Sequence, residues 1–105
     1  MTTDNLTFEQ NMADKFSELH QLMVKKQKDY GPKNILNAPI DPRLALIVRI
    51  NDKLARAANL IAKGLEPENE NLTDTWMDIA NYGVIGWAVQ DGTFELPLGE
   101  LDDNA

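Results

Sequence analysis

Apolar residues recur at helical spacing in three stretches of the chain, and each stretch carries its own start and stop signals. In the first, Phe8, Met12, Phe16, Leu19 and Met23 line one face of a helix from about Thr7 to Lys28. Thr7 with Gln10 makes a capping box, and Asp29-Tyr30-Gly31-Pro32 stops the helix. KNILNAPI follows and reads as a loop, with Pro39 and Pro42 as further breakers. The second helix has Asp41 as N-cap and Pro42 at the first helical position. Its stripe is Leu44, Ile47, Asn51, Leu54, Ala58 and Ile61, widened by Ile50 and Ala57, and Gly64 closes it. After the acidic linker LEPENENL a third helix runs from about Thr73 to Gln90, with Thr73 or Asn71 as N-cap and Gly92 beyond its end.

This third helix is unusual. Over TWMDIANYGVIGWAVQ the only charge is Asp78, and apolar residues occur on every side, the pattern of a central, buried helix. Gly83 and Gly86 each cost about 1 kcal/mol of helix propensity, which predicts close approach of a neighbouring backbone. No strand period and no internal repeat is present. The reading is all-α: a three-helix chain forming a helical bundle. A helix apolar all round needs neighbours on all sides, so homo-oligomerisation is expected to complete the bundle. Residues 1–92 are expected to form a single all-α domain. Residues 93–105 form an acidic C-terminal tail that packs in part through Phe94, Leu96 and Leu98, while the last few residues fray.

Charge changes the picture, because it is unevenly spread. The net charge of −7 divides into −3 over residues 1–24, +6 over 25–63 and −10 over 64–105, where no base occurs. An acidic chain repels nucleic acid, whereas its basic middle suits a small anion such as a phosphate ester. The plainer account is that the middle segment pairs with the last. Zero cysteines exclude disulfides, thiolate nucleophiles and Cys-ligated metals, and the single His20 cannot make a two-histidine motif. His20 reads as a packed histidine. No apolar run of about 18 residues exists, so no membrane span is expected. MTTDNLTFEQ lacks the basic and apolar regions of a secretory signal, which makes a cytoplasmic location the expectation.

Three groups of residues could carry chemistry. On the third helix, Asp74 and Asp78 share a face that Asn81 and Tyr82 continue. A carboxylate in a buried helix requires a base from another helix, a divalent metal or a raised pKa. Asp and Asn oxygens suit Mg²⁺ or Mn²⁺ rather than zinc. The structural alternative is a buried ion pair from Asp78 to an arginine, Arg49 or Arg56. On the second helix, Arg49, Asp52, Lys53 and Arg56 make one polar stripe. If the helices pack face to face, Asp52 joins Asp74 and Asp78, and the bases hold the phosphates that such a metal binds; otherwise the stripe is a solvated face with an Asp52–Arg56 pair. At the end of the first helix, Lys25, Lys26, Lys28, Asp29 and Tyr30 either complement the helix dipole or place Tyr30 or a lysine such as Lys28 against a nucleotide.

Three segments, KKQKDYG, RINDKLARAANLI and LTDTWMDIANYGVIGWAV, resemble in order the family called nucleotide modification associated domain 1, whose members are mostly encoded by phages and bacteria. The resemblance rests on Asp29-Tyr30-Gly31, on Arg49, Asp52, Lys53 and Arg56, and on Asp74, Thr75, Asp78, Asn81 and Tyr82, and spans about residues 20–90. That family is similar in turn to the MazG-like all-α nucleoside triphosphate pyrophosphohydrolases, in which two acidic pairs on adjacent helices of an oligomeric bundle bind Mg²⁺. This chain has Thr75 three before Asp78 and only Asp52 for the first acidic pair. The resemblance implies a Mg²⁺-dependent (or Mn²⁺-dependent) pyrophosphohydrolase, or a degenerate relative that binds nucleotides. Asp52, Asp74 and Asp78 would be the catalytic and metal-binding residues, and Lys28, Tyr30, Arg49, Lys53, Arg56 and Asn81 the nucleotide-binding set. The competing reading is a non-catalytic phage protein-interaction module.

Overall fold

The computed structural model describes residues 6–64 and 71–99. Four helices follow in order: α1 (Phe8–Tyr30), α2 (Lys33–Leu36), α3 (Pro42–Lys63) and α4 (Leu72–Asp91), with no strand among the described residues. The chain is all-helical, as its pattern predicts. The caps form where the sequence places them. Thr7 Oγ1 accepts from the Gln10 amide at 3.1 Å. Asp41 accepts from the Arg43 amide at 2.9 Å, with Pro42 in the first turn. Asn71 Oδ1 accepts from the Asp74 amide at 2.7 Å, so Asn71 and not Thr73 caps α4. Gly64 and Gly92 end α3 and α4 in left-handed backbone, with φ of 63° and 79°.

One element departs from the sequence reading. Residues Lys33–Leu36, read as loop, form a single helical turn, so the described residues hold four helices and not three. Pro32 starts the turn by accepting the Leu36 amide at 3.1 Å. The turn seats Ile35, which with Leu46 and Ala57 makes up the buried apolar core.

α3 packs most extensively on α4; α1 lies on α4, and α2 on α3. The face of α3 that meets the rest of the chain includes Ile50 and Ala57, the flank of the predicted stripe, and not the centre of that stripe. Leu46 and Ala57 are buried, with Ile50 and Lys53 half-buried between them. Leu44, Ile47, Leu54 and Ile61 are exposed. The physical reason is that α3 is apolar over more than one face. The smaller face, ending in Ala57, permits close packing and takes the contact.

α4 likewise is not enclosed by the described residues. Its buried residues are Thr75 and Asn81, while Trp76, Val84 and Trp87 are exposed, Trp87 by 70%. No backbone approaches its glycines as expected. A Cβ at Gly83 would meet nothing within 4 Å, and one at Gly86 would meet the Leu46 side chain at 3.9 Å. On α1, Met12, Leu19 and Met23 are half-buried, but Phe8 and Phe16 are exposed. After α4, Phe94 packs in, whereas Leu96 and Leu98 do not. The rest of the tail, 100–105, and most of the acidic linker lie outside the described residues. No helix among the described residues is long and apolar enough to cross a membrane.

Candidate functional site

Asp78 sits in the middle of α4 with its side chain 15% exposed, and two lysines reach it from two other helices. Lys26 of α1 places Nζ 3.2 Å from Oδ1. Lys53 of α3 places Nζ 3.0 Å from Oδ2. A carboxylate in this half-dry setting needs a compensating cation, and here it has two. The expected partner was an arginine. Arg49 instead turns toward α2 and donates from Nη2 to the Asn34 carbonyl at 3.4 Å, and Arg56 is exposed.

Beside this cluster opens a cavity of about 280 Å³ between α1, α2, α4 and the segment after α4. Its polar wall is formed by Lys26, Tyr30, Arg49, Asp78, Asn81 and Tyr82. Met23, Ile35, Ile85 and Phe94 supply the apolar wall. Among the described residues Arg49 has no carboxylate in ion-pair range. With Asp78 already shared between two ammonium groups, the local balance is positive. Such a wall attracts an anion, and the guanidinium fork suits a phosphate or carboxylate.

Two side-chain amides position the walls. Asn81, 7% exposed, donates from Nδ2 to the Leu19 carbonyl at 3.2 Å and ties α4 to α1. Gln27 donates from Nε2 to the Phe94 carbonyl at 3.2 Å, and Lys33 pairs with Glu95 at 3.3 Å. Together they tie the segment after α4 to α1 and α2, with Phe94 lining the cavity.

The structure therefore brings Tyr30, Arg49, Asp78 and Asn81 of the predicted set to one cavity, with Lys53 joined through Asp78. Lys28 and Arg56 are exposed and lie off its wall, as do Asp52 and Asp74. Neither Asp52 nor Arg56 takes part in an ion pair among the described residues. No group of three or more His, Asp or Glu residues able to hold a metal ion occurs among the described residues. His20 is exposed, not packed.

The sequence pattern puts Lys26 in a basic cluster without singling it out, gives Phe94 only as a packing residue of the tail, and does not mark Gln27. A signal existed for Lys26 and Gln27. Met23, Lys26, Gln27 and Tyr30 recur at helical spacing, one face of α1 running into Tyr30. Phe94 had no signal for the cavity, since the chain reversal after Gly92 brings it back.

One ion pair with shifted titration lies away from the cavity. The Arg43 guanidinium donates to Asp41 at 2.7 Å and, chiefly through that hydrogen bond, holds the Asp41 carboxyl below the usual carboxylate range. Asp41 raises Arg43 in return.

The fold and the cavity define an all-α chain with a cavity lined by Lys26 and Arg49. The sequence profile of nucleotide modification associated domain 1 matches residues 26–88, more than half of the chain, and the chain belongs to that family. The matched span contains every polar cavity residue named above. No curated protein matches the chain, and no solved structure does.

Proposed function

We propose that the chain binds a nucleotide in the cavity between α1, α2 and α4. The observation that carries this reading is that Lys26 and Arg49 both line the cavity while Asp78, the one carboxylate lining it among the described residues, is already matched by Lys53. Phosphate oxygens fit that surplus of donors. Tyr30, Tyr82 and Phe94 offer ring surfaces to a base. The family's association with nucleotide modification supports the same ligand class. Calorimetric titration with nucleoside mono- and triphosphates tests it. Saturable binding is expected, weakened at least about tenfold by Arg49→Ala. Absence of binding by every nucleotide overturns it.

The finer, MazG-like reading is Mg²⁺-dependent (or Mn²⁺-dependent) release of pyrophosphate from a nucleoside triphosphate. Within one chain the residues do not fit a hard dication. Both Asp78 oxygens hold ammonium groups, and Asp52 and Asp74 lie on exposed surface off the cavity. Turnover would need carboxylates supplied across an interface. It is tested by pyrophosphate release with Mg²⁺ and its loss in Asp52→Asn and Asp74→Asn.

A specific observation favours such an interface. Three buried apolar side chains make a small core, while Leu44, Ile47, Val48, Leu54 and Ile61 line one side of α3 in the open. Trp76, Val84 and Trp87 do the same on α4. Apolar surface on this scale is characteristic of an association site. A second copy of the chain is the partner proposed for it, with a docked enzyme of phage or host as the outcome if the chain stays monomeric.

A further inference from the structure

We propose that the cavity selects bases carrying an exocyclic amino group, an inference that rests on the nucleotide reading above. It starts from the two amides on the cavity wall. Asn81 is more than nine-tenths buried, and its nitrogen is committed to the Leu19 carbonyl. A carbonyl only accepts, so the amide cannot be flipped, and the other end of the group is an oxygen. Gln27 is fixed the same way by the Phe94 carbonyl. Among the described residues no donor pairs with Asn81 Oδ1 or Gln27 Oε1. Asn81 Oδ1 is also not sealed away, because no buried side-chain polar atom lacks a partner there. It therefore opens to the cavity that Asn81 lines.

Asn81 and Gln27 both line the cavity, and in this assignment their oxygens serve as two acceptors beside two cations and three aromatic rings. The complementary ligand carries negative charge at one end and a pair of N–H or O–H donors at the other. Adenine and cytosine each present two N–H donors on the exocyclic amino group, and guanine presents these two with its ring N1–H beside them. Uracil and hypoxanthine present one. A base of the second kind leaves an oriented acceptor unpaired in a half-dry pocket, which is the costlier failure. Sugar hydroxyls are the other source of the same donors.

The test uses the unaltered chain and changes the ligand. Dissociation constants are measured for AMP and GMP against IMP, for CMP against UMP, and for ribose 5-phosphate. The expected result is binding about tenfold tighter for each amino-bearing member, and weaker binding still of ribose 5-phosphate. Equal affinities within the pairs overturn the inference while leaving nucleotide binding intact. Ribose 5-phosphate binding as tightly as CMP assigns the acceptors to the sugar and also overturns it. Failure of all ligands overturns the nucleotide reading itself, and this inference with it. Gln27→Ala, checked for helical content, should bring the CMP to UMP ratio toward one; an unchanged ratio removes the amides from base selection.

Discussion

Lys53 of α3 and Asp78 of α4 meet at 3.0 Å, Nζ to Oδ2, with side chains 20% and 15% exposed. Lys26 adds a second ammonium on Oδ1, so one carboxylate joins three helices. Replacing Asp78 with Asn removes the counter-charge from both lysines, and the more buried Lys53 suffers more. Asp78→Asn is expected to lower unfolding free energy by about 1–3 kcal/mol. In a double-mutant cycle with Lys53→Met, the paired change should cost less than the sum of the single ones. Urea unfolding measures all four proteins; strict additivity would show the pair to be uncoupled.

Lys26 is half exposed, and its pairing is correspondingly worth less to the fold. Lys26→Ala should therefore change stability by less than about 1 kcal/mol. Its effect on binding should be larger, about a tenfold loss of nucleotide affinity together with a weaker dependence on ionic strength. Calorimetry at two salt concentrations reads both quantities. Loss of stability without loss of affinity would move the phosphate site elsewhere.

Gly83 faces open space within this chain. Gly83→Ala gains helix propensity and should stabilise a dilute, unassociated chain by about 1 kcal/mol. If a second copy packs there, the added methyl group opposes its approach and the gain disappears at high concentration. Trp87→Glu and Ile47→Glu test the same surface, because both side chains are exposed and apolar. Light scattering coupled to size exclusion should give the mass of one chain for these variants and a multiple of it for the parent. A parent that stays monomeric would leave the surface to another partner.

The Asp41–Arg43 cap gives a pH dependence with a definite sign. The folded carboxyl titrates below its ordinary value because Arg43 donates to it. Its contribution is complete above the unfolded value. It is lost as pH falls below about 4 and through the lower folded value. Asp41→Asn should lower stability slightly at neutral pH, where the contribution is present, and converge on the parent below the folded value, which flattens the acid limb read by urea unfolding at several pH values. Both residues are on the surface, so the effect is expected to be small and screened by salt.

The cap residues Thr7, Asp41 and Asn71 and the glycine stops were legible in the amino acids because their causes are local. An orphan amide needs an acceptor within three residues, and a left-handed stop needs glycine. The charge imbalance was legible too. Lys26, Lys53 and Lys33 from the basic middle do pair with Asp78 and Glu95 from the acidic end. Helical periodicity named Asp78 because a single charge in an apolar helix is conspicuous.

Which groups answer Asp78, and where the cavity opens, followed only from the packing. Periodicity reports how apolar a face is, not which of two apolar faces a neighbour will occupy. On α3 the neighbour took the side of Leu46 and Ala57, leaving Ile47 and Ile61 outside. That rotation aimed Lys53 at α4, turned Arg49 to the Asn34 carbonyl and left Asp52 in the open. A helix turns 100° with each residue, so the choice between adjacent faces separates a three-carboxylate cluster from a cation-lined pocket. Contacts between distant segments make that choice, and no local pattern encodes them.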